Sequence, residues 1–203
     1  MRLELKTAAG AASMTLADVK TYAFMNTTKH DANITALLTP CTEELERYTG
    51  RKMIDQSWYI YMDAYEYYDR LRAYNNTITL STLNVSAITE VLTYNMDNTT
   101  NTVTSTDYRL SGNELTQVSK LAFNDDTPPV YESLRRVDSV RIEVVAGYGA
   151  AQSSIPDPVQ TALKILIEHR VKFGGRSSKD KLSDTPSNYD AILQGYRSTE
   201  NWF

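Results

Sequence analysis

The sequence predicts an α+β protein: a small helical body, two N-terminal helices plus one long C-terminal helix, with an inserted antiparallel β subdomain and an extended C-terminal tail. Three observations point there. Apolar residues recur every three to four positions from Leu16 to Tyr48 and from Val159 to Ile167, the period of a helix with one buried face. Between them, "QSWYIYM" and "SVRIEVV" alternate with the period of two that marks a strand. Tyr is abundant at 14 residues, and Thr and Asn crowd the middle third, a bias toward strands and turns.

The elements follow in order. "MRLELKTAAGAASM" has no continuous apolar core of secretory type and reads as a loosely attached end without a signal peptide. In "TLADVKTYAFMN", Thr15 is the expected N-cap and Asp18 completes a capping box. A second helix starts at Asp31, where Ile34, Leu37, Leu38, Cys41, Leu45 and Tyr48 keep one face across Pro40, so a kink is expected there and not a break. Gly50 suits its C-terminal cap, and Arg47 complements the helix dipole.

From Gln56 the period drops to two, and "QSWYIYMDAYEYY" reads as strand. Trp58, Ile60 and Met62 take one face of a strand, while Tyr59, Tyr61 and Asp63 take the other. "TITLSTLNVSAITEVLTYN" and "TDYRLSGNELTQV" continue as short strands, with a hairpin turn expected at Ser111-Gly112-Asn113. "NTTNTVTST" and "NDDTPP" read as exposed loops. In "SVRIEVVAGYG", Val140, Ile142 and Val144 alternate with Arg141 and Glu143.

A long helix then opens at Asp157-Pro158, an N-cap followed by Pro in the first position. Its main apolar face is Val159, Ala162, Leu163, Leu166 and Ile167, which Ile165 widens. "GGRSSKDKLSDTPS" is a polar linker, and "NYDAILQGYRSTENWF" a short amphipathic turn of helix with an aromatic end. The expected division is a core over residues 1–175, with its helical body at 15–55 and 156–174 and its β insertion at 56–149, then a linker and docking tail over 176–203.

Composition narrows the function. Hydrophobic residues make up 41% and charged residues 23% of the chain, ordinary values for a globular protein. The net charge of -4 argues against tight binding to a phosphate backbone, which needs clustered cations. One cysteine, Cys41, allows no intrachain disulfide and no multi-thiolate metal site. No apolar run approaches the length of a membrane helix. The expected setting is a soluble protein in a reducing cytoplasm.

Motifs for chemistry are weak. Gly147-Tyr148-Gly149 lacks the third glycine of a dinucleotide fingerprint and the Gly-Lys-Ser/Thr of a P-loop. The next helix starts about eight residues later, so the turn reads as a structural corner. His30 and His169 have no nucleophile-elbow partner. Glu43-Glu44, Asp125-Asp126 and Glu66-Asp69 could serve a glycoside hydrolase, but nothing brings them to one cleft. Cys41 lies on an apolar stripe and reads as a buried small hydrophobe. Arg176, Lys179 and Lys181 lack the interleaved aromatics of a single-strand binder. No catalytic residue, cofactor or metal site is expected. The tyrosines from Tyr59 to Tyr74 are the least ordinary feature, fitting either a contact surface or one packed face of a sheet.

Three stretches together resemble one family, the head–tail connector (adaptor) proteins of tailed bacteriophages. The first is "TLADVKTYAFMN" with "DANITALLTPCTEELERYTGRKMIDQSW", which carries a Glu-Arg-Tyr-Thr-Gly-Arg signature and a downstream tryptophan. The second is "VRIEVVAGYG…IPDPVQTALKILIEHRV", a strand ending in Ala-Gly-Tyr-Gly before a proline-started helix. The third is the ending "YDAILQGYR". Pro40, the long Asn/Thr-rich insertion and the "HRVKFGG" helix end depart from the family pattern. The resemblance implies a virion protein made in the bacterial cytoplasm. It would form a ring, commonly of twelve copies, under the portal, extend the DNA channel and offer a docking site for the tail or stopper. Double-stranded DNA would pass through without sequence-specific binding, and no chemistry is implied.

Residue patterns suggest where such contacts would lie. A helix that is apolar on more than one face needs partners on both sides, and a closed ring supplies them; the expected inter-subunit positions are Val159, Leu163, Ile165, Leu166 and Ile167. A polar linker ending in Tyr189, Ile192, Leu193, Tyr196, Arg197, Trp202 and Phe203 fits an arm that orders on the portal. The competing reading is a carbohydrate- or protein-binding tail accessory module that uses the tyrosine-rich sheet.

Overall fold

A computed structural model describes residues 1–73, 77–80, 83–113, 118–123, 133–173 and 187–197. In chain order the elements are β1 (Arg2–Thr7), α1 (Leu16–Tyr22), α2 (Asp31–Thr49), β2 (Gln56–Met62), α3 (Ala64–Ala73), β3 (Thr77–Thr79), β4 (Val85–Tyr94), β5 (Thr100–Thr102), β6 (Tyr108–Asn113), β7 (Val118–Phe123), β8 (Val140–Ala146), α4 (Asp157–Phe173) and α5 (Ser187–Leu193). The chain is α+β and forms two compact units. One comprises Met1–Ala9 and Asp55–Gly147, the other Gly10–Ile54 and Tyr148–Arg197.

The first unit holds both sheets. Five strands run in the order β1-β2-β8-β4-β5 and three in the order β3-β7-β6, and every pairing is antiparallel. The central strand β8 buries Val140, Ile142, Val144 and Ala146 completely and turns Arg141 and Glu143 to the other face, as its alternation requires. The register sets Trp58, Ile60 and Met62 of β2 opposite Val144, Ile142 and Val140. Equivalent faces of the two strands therefore meet in one apolar layer.

Four expectations are corrected in this unit. The N-terminal segment is not loose, because β1 pairs along β2 with Leu3 opposite Ile60 and Leu5 opposite Trp58. Residues after Asp63 do not continue the strand. They form α3, whose Ala64, Tyr67 and Leu71 are buried at the helical spacing of three and four. Ser111, Gly112 and Asn113 are strand and not a turn, paired with Lys120, Ser119 and Val118. Part of the expected exposed loop is also strand: Thr100–Thr102 pairs with Leu92 to Tyr94. The "NDDTPP" stretch lies outside the described residues.

The second unit is helical. Thr15 and Asp18 form the expected capping box. Helix α2 runs unbroken through Pro40 and ends at Gly50, which adopts the left-handed conformation with φ 70°. Ile34, Cys41 and Leu45 are buried, with Leu37, Leu38 and Tyr48 packed at their margin. Entry to α4 is fixed by Gln160, whose side-chain amide donates to the carbonyls of Ile155 (2.8 Å) and Gln152 (3.2 Å). Helix α4 packs on α1, α2 and α5, so the unit's core lies along its apolar stripe.

Candidate functional site

The expected contact residues lie mostly inside the helical unit. Val159, Leu163, Leu166 and Ile167 are all within 3% of full burial, used by the chain's own core, and only Ile165 of the five is half-exposed. Both exposures of the α4 stripe are thus largely accounted for by α1, α2 and α5. The tail behaves in the same way. Tyr189 and Leu193, four apart on α5, are buried, while Ile192 and Tyr196 pack at the edge of the same cluster. The Tyr48 and Tyr189 rings meet at 5.7 Å, and the Arg197 guanidinium lies over Tyr48 at 5.5 Å. Residues up to Arg197 therefore include a segment seated on its own subunit. Trp202, Phe203 and the linker basics Arg176, Lys179 and Lys181 lie outside the described residues.

The Glu-Arg-Tyr-Thr-Gly-Arg stretch ends α2 through its own hydrogen bonds. Glu46 is 9% exposed, yet its carboxylate accepts from the Met53 backbone N–H at 3.0 Å and from the Lys52 ammonium at 2.8 Å. Such charge-assisted bonds offset the desolvation of a buried carboxylate. The Thr49 hydroxyl donates to the Leu45 carbonyl at 2.8 Å and accepts from the Arg51 N–H at 3.3 Å. Sequence patterning does not single out Glu46; the signal that points to it is a carboxylate one turn before a left-handed glycine.

The Gly147-Tyr148-Gly149 corner is no phosphate cradle, since its first two amides are already donated: Gly147 to the Asn84 carbonyl at 3.1 Å and Tyr148 to the Met53 carbonyl at 3.4 Å. A Cβ on Gly147 would come within 2.5 Å of the Asp55 backbone nitrogen, and one on Gly149 within 2.5 Å of the Ser154 side chain. These glycines permit close approach of chain to chain. Burial pushes the Tyr148 phenol above its ordinary pKa, and Arg51 partly opposes that shift.

The tyrosine run divides among three environments: buried, covered on the sheet, and exposed on α3. Tyr67 is fully buried and meets Phe123 edge-on at 6.1 Å, and burial raises its phenol pKa. Tyr59 and Tyr61 occupy the outer face of the five-stranded sheet but are covered by cations. Arg2 lies 4.2 Å from the Tyr61 ring centre, Arg141 lies 4.6 Å and Lys6 5.3 Å from that of Tyr59, and Arg135 lies 4.1 Å from that of Tyr94. Carboxylates complete this layer, Glu143 to Lys6 and Glu90 to Arg141, both at 2.6 Å. Tyr59, Tyr61 and Tyr94 are bound within their own sheet, while Tyr65 on α3 stays 73% exposed.

The remaining candidate chemistry does not converge. Glu44 pairs with Arg170, while Glu66 pairs with Arg70 at 3.1 Å. Asp125 and Asp126 lie outside the described residues. His30 caps α2 without a side-chain bond, and His169 lies on α4. Cys41 is buried, and burial pushes its thiol up to about 11, the opposite of nucleophile activation. Among the described residues there is no His, Cys, Asp or Glu cluster able to hold a metal ion, and no helix long and apolar enough to cross a membrane.

Two features of the helical unit are left unused by its core. One is an open groove of about 580 Å³ between α2 and α4, lined by Pro40, Glu43, Glu44, Arg47, Tyr48 and Arg170. The other is Phe24, just past α1 and 91% exposed. Neither was singled out by sequence patterning, because each depends on which side chains the core leaves over.

A family model described as "Head completion protein" matches residues 12–198. Three solved chains share the fold, each covering 100% of this chain and 98% of its own length. One is from the virion of a native gene transfer agent, with TM-score 0.75 and 17% identity. Another is from the neck of a native gene transfer agent particle computed with C12 symmetry, at 0.75 and 16%. The third is from the neck of an empty particle computed with C6 symmetry, at 0.70 and 15%. No sequence match is found among curated proteins.

Proposed function

The chain belongs to the head completion protein family, and we propose that it works as a ring-forming connector in the neck of a virion, between the portal and the tail or its stopper. The family is a structural one and not a class of enzyme. The observation that carries the finer reading is the full-length likeness to chains from necks with C6 and C12 symmetry, which supports a closed ring, of twelve copies in the C12 case.

In such a ring each copy offers one surface to the neighbour on its left and a different one to the neighbour on its right. The portal is the partner above and the tail or stopper the partner below. Double-stranded DNA passes through the ring, and the chain's net charge of -4 keeps it from gripping phosphates. Since Tyr189 and Leu193 are buried in their own subunit, portal docking is assigned to the terminal aromatics Trp202 and Phe203, with Arg197 leading to them.

Mixing the full chain with purified portal and measuring mass tests this. The expected product is portal plus a closed set of copies, lost on removal of residues 198–203 while the helical unit stays folded. Equal attachment by the truncated chain would refute the docking assignment. Failure of the intact chain to join the portal at any concentration would refute the connector reading itself.

A further inference from the structure

Phe24 is held in solvent by a backbone conformation that normally belongs to glycine. Helix α1 ends in a Schellman arrangement: the Met25 N–H donates to the Lys20 carbonyl at 2.9 Å and the Phe24 N–H to the Thr21 carbonyl at 3.4 Å. The residue between these bonds must be left-handed, and glycine is favoured there because it has no Cβ. Here it is Phe24, with φ 54°. The following residue, Met25, turns inward and packs on the helical core. A strained backbone therefore presents an aromatic ring to water, at a site where glycine would fold more easily.

The groove between α2 and α4 has the complementary character. Pro40 and the part of Tyr48 not covered by Tyr189 and Arg197 supply apolar surface. Arg47, with Arg170 held by Glu44, supplies guanidinium groups, which favour an aromatic face. Its rim carries Glu43, which is exposed and has no ion pair among the described residues. Five residues after Phe24, on the same loop, Lys29 is exposed and likewise unpaired among the described residues. The knob thus carries an unpaired cation and the groove an unpaired anion.

Knob and groove belong to one unit but to different places on it. Pro40 is nine residues into α2, roughly 14 Å along the helix from the end that bears the Phe24 loop. Complementary surfaces at separate places on one chain produce head-to-tail contact. We propose that Phe24 inserts into the α2–α4 groove of a neighbouring copy, with its Lys29 meeting that copy's Glu43. This rests on the ring reading above and names the surfaces through which the ring would close.

Paired cysteines test the contact directly in assembled particles or on the portal. With F24C and E43C in one chain, oxidation should give a ladder of covalent multimers that continues beyond the dimer. Each single variant should give no ladder, and buried Cys41 should stay silent. Monomers only, from particles that still assemble, would overturn the proposal. So would dimers only, the mark of a two-fold contact, or cross-links from F24C to a different protein.

Two further variants separate assembly from folding. F24G should raise the thermal midpoint by about 2–4 °C while reducing ring formation at least tenfold. A chain in which F24G assembles normally would contradict the knob. K29E and E43K should each weaken assembly, and K29E/E43K together should restore most of it; no rescue would contradict the charge pairing. If the unaltered chain never assembles, the ring reading fails and the proposal with it, a result distinct from assembly that ignores these residues.

Discussion

Replacing Leu193 with Ala asks whether α5 is core or a free arm. Leu193 is fully buried, and its companions in the contact are Tyr189, with Ile192 and Tyr196 at the margin. Burying a leucine side chain is worth about 1.5–3 kcal/mol, and a rigid core adds a cavity term that raises Leu→Ala losses to about 2.7–5 kcal/mol. Helix α5 has only seven residues, so it can detach and relieve the cavity, which caps the loss near the lower end. About 2–3 kcal/mol is expected, or roughly 4–12 °C in thermal midpoint for a chain of this size. Urea unfolding followed by far-ultraviolet circular dichroism measures it, with exposed Gln194→Ala as the control, expected within about 0.5 kcal/mol of the parent. If Leu193→Ala also lies within 0.5 kcal/mol, α5 is not seated on its own subunit, and the assignment of portal docking to the last residues loses its reason. A stable seat also means that any use of Tyr189 or Leu193 on the portal must first overcome that docking energy.

Other positions give separate tests. Gly147→Ala forces a Cβ against the Asp55 backbone and should cost about 2 kcal/mol or more in urea unfolding. Tyr67→Phe should be neutral or slightly stabilising, because the buried hydroxyl has no hydrogen-bond partner among the described residues; Tyr67→Ala should lose about 3–5 kcal/mol. Cys41 should resist thiol reagents at pH 8 in the native state and react on unfolding. Its raised pKa also means that its contribution to stability is complete below about pH 8.5 and declines as pH rises toward 11. Asp18 is held below the usual carboxylate range first by the Thr15 hydroxyl and then by the Gln152 amide. Its contribution is present above about pH 4 and lost as pH falls, so the stability gap between the parent and Asp18→Asn should close in acid.

Much of the architecture was legible wherever one face of one element decides burial. The stripe of α2, the cap at Thr15, the left-handed Gly50 and the alternation of β2 and β8 all follow from local pattern. Elements made by pairing were harder. β1 carries a period of two from Arg2 to Lys6, yet it is an edge strand in which Leu5 stays 46% exposed, so no buried face announced it. α3 was masked by its tyrosines, which favour strands in isolation but here place Tyr67 and Leu71 one helical turn apart. At Ser111-Gly112-Asn113, turn-forming residues were overridden by cross-strand pairing. The α4 stripe was the least legible, because it reads as apolar on more than one face while α1, α2 and α5 cover most of it. The exposure of Phe24 and of the groove edge is defined by the whole unit.

Cryo-electron microscopy of intact particles, with the chain identified by an inserted label, tests the connector role most directly. The expected image is an annulus of labelled copies, six- or twelve-fold symmetric, between portal and tail. Particles with an ordered neck and no labelled annulus, or with the label on the capsid wall or the distal tail, would contradict it.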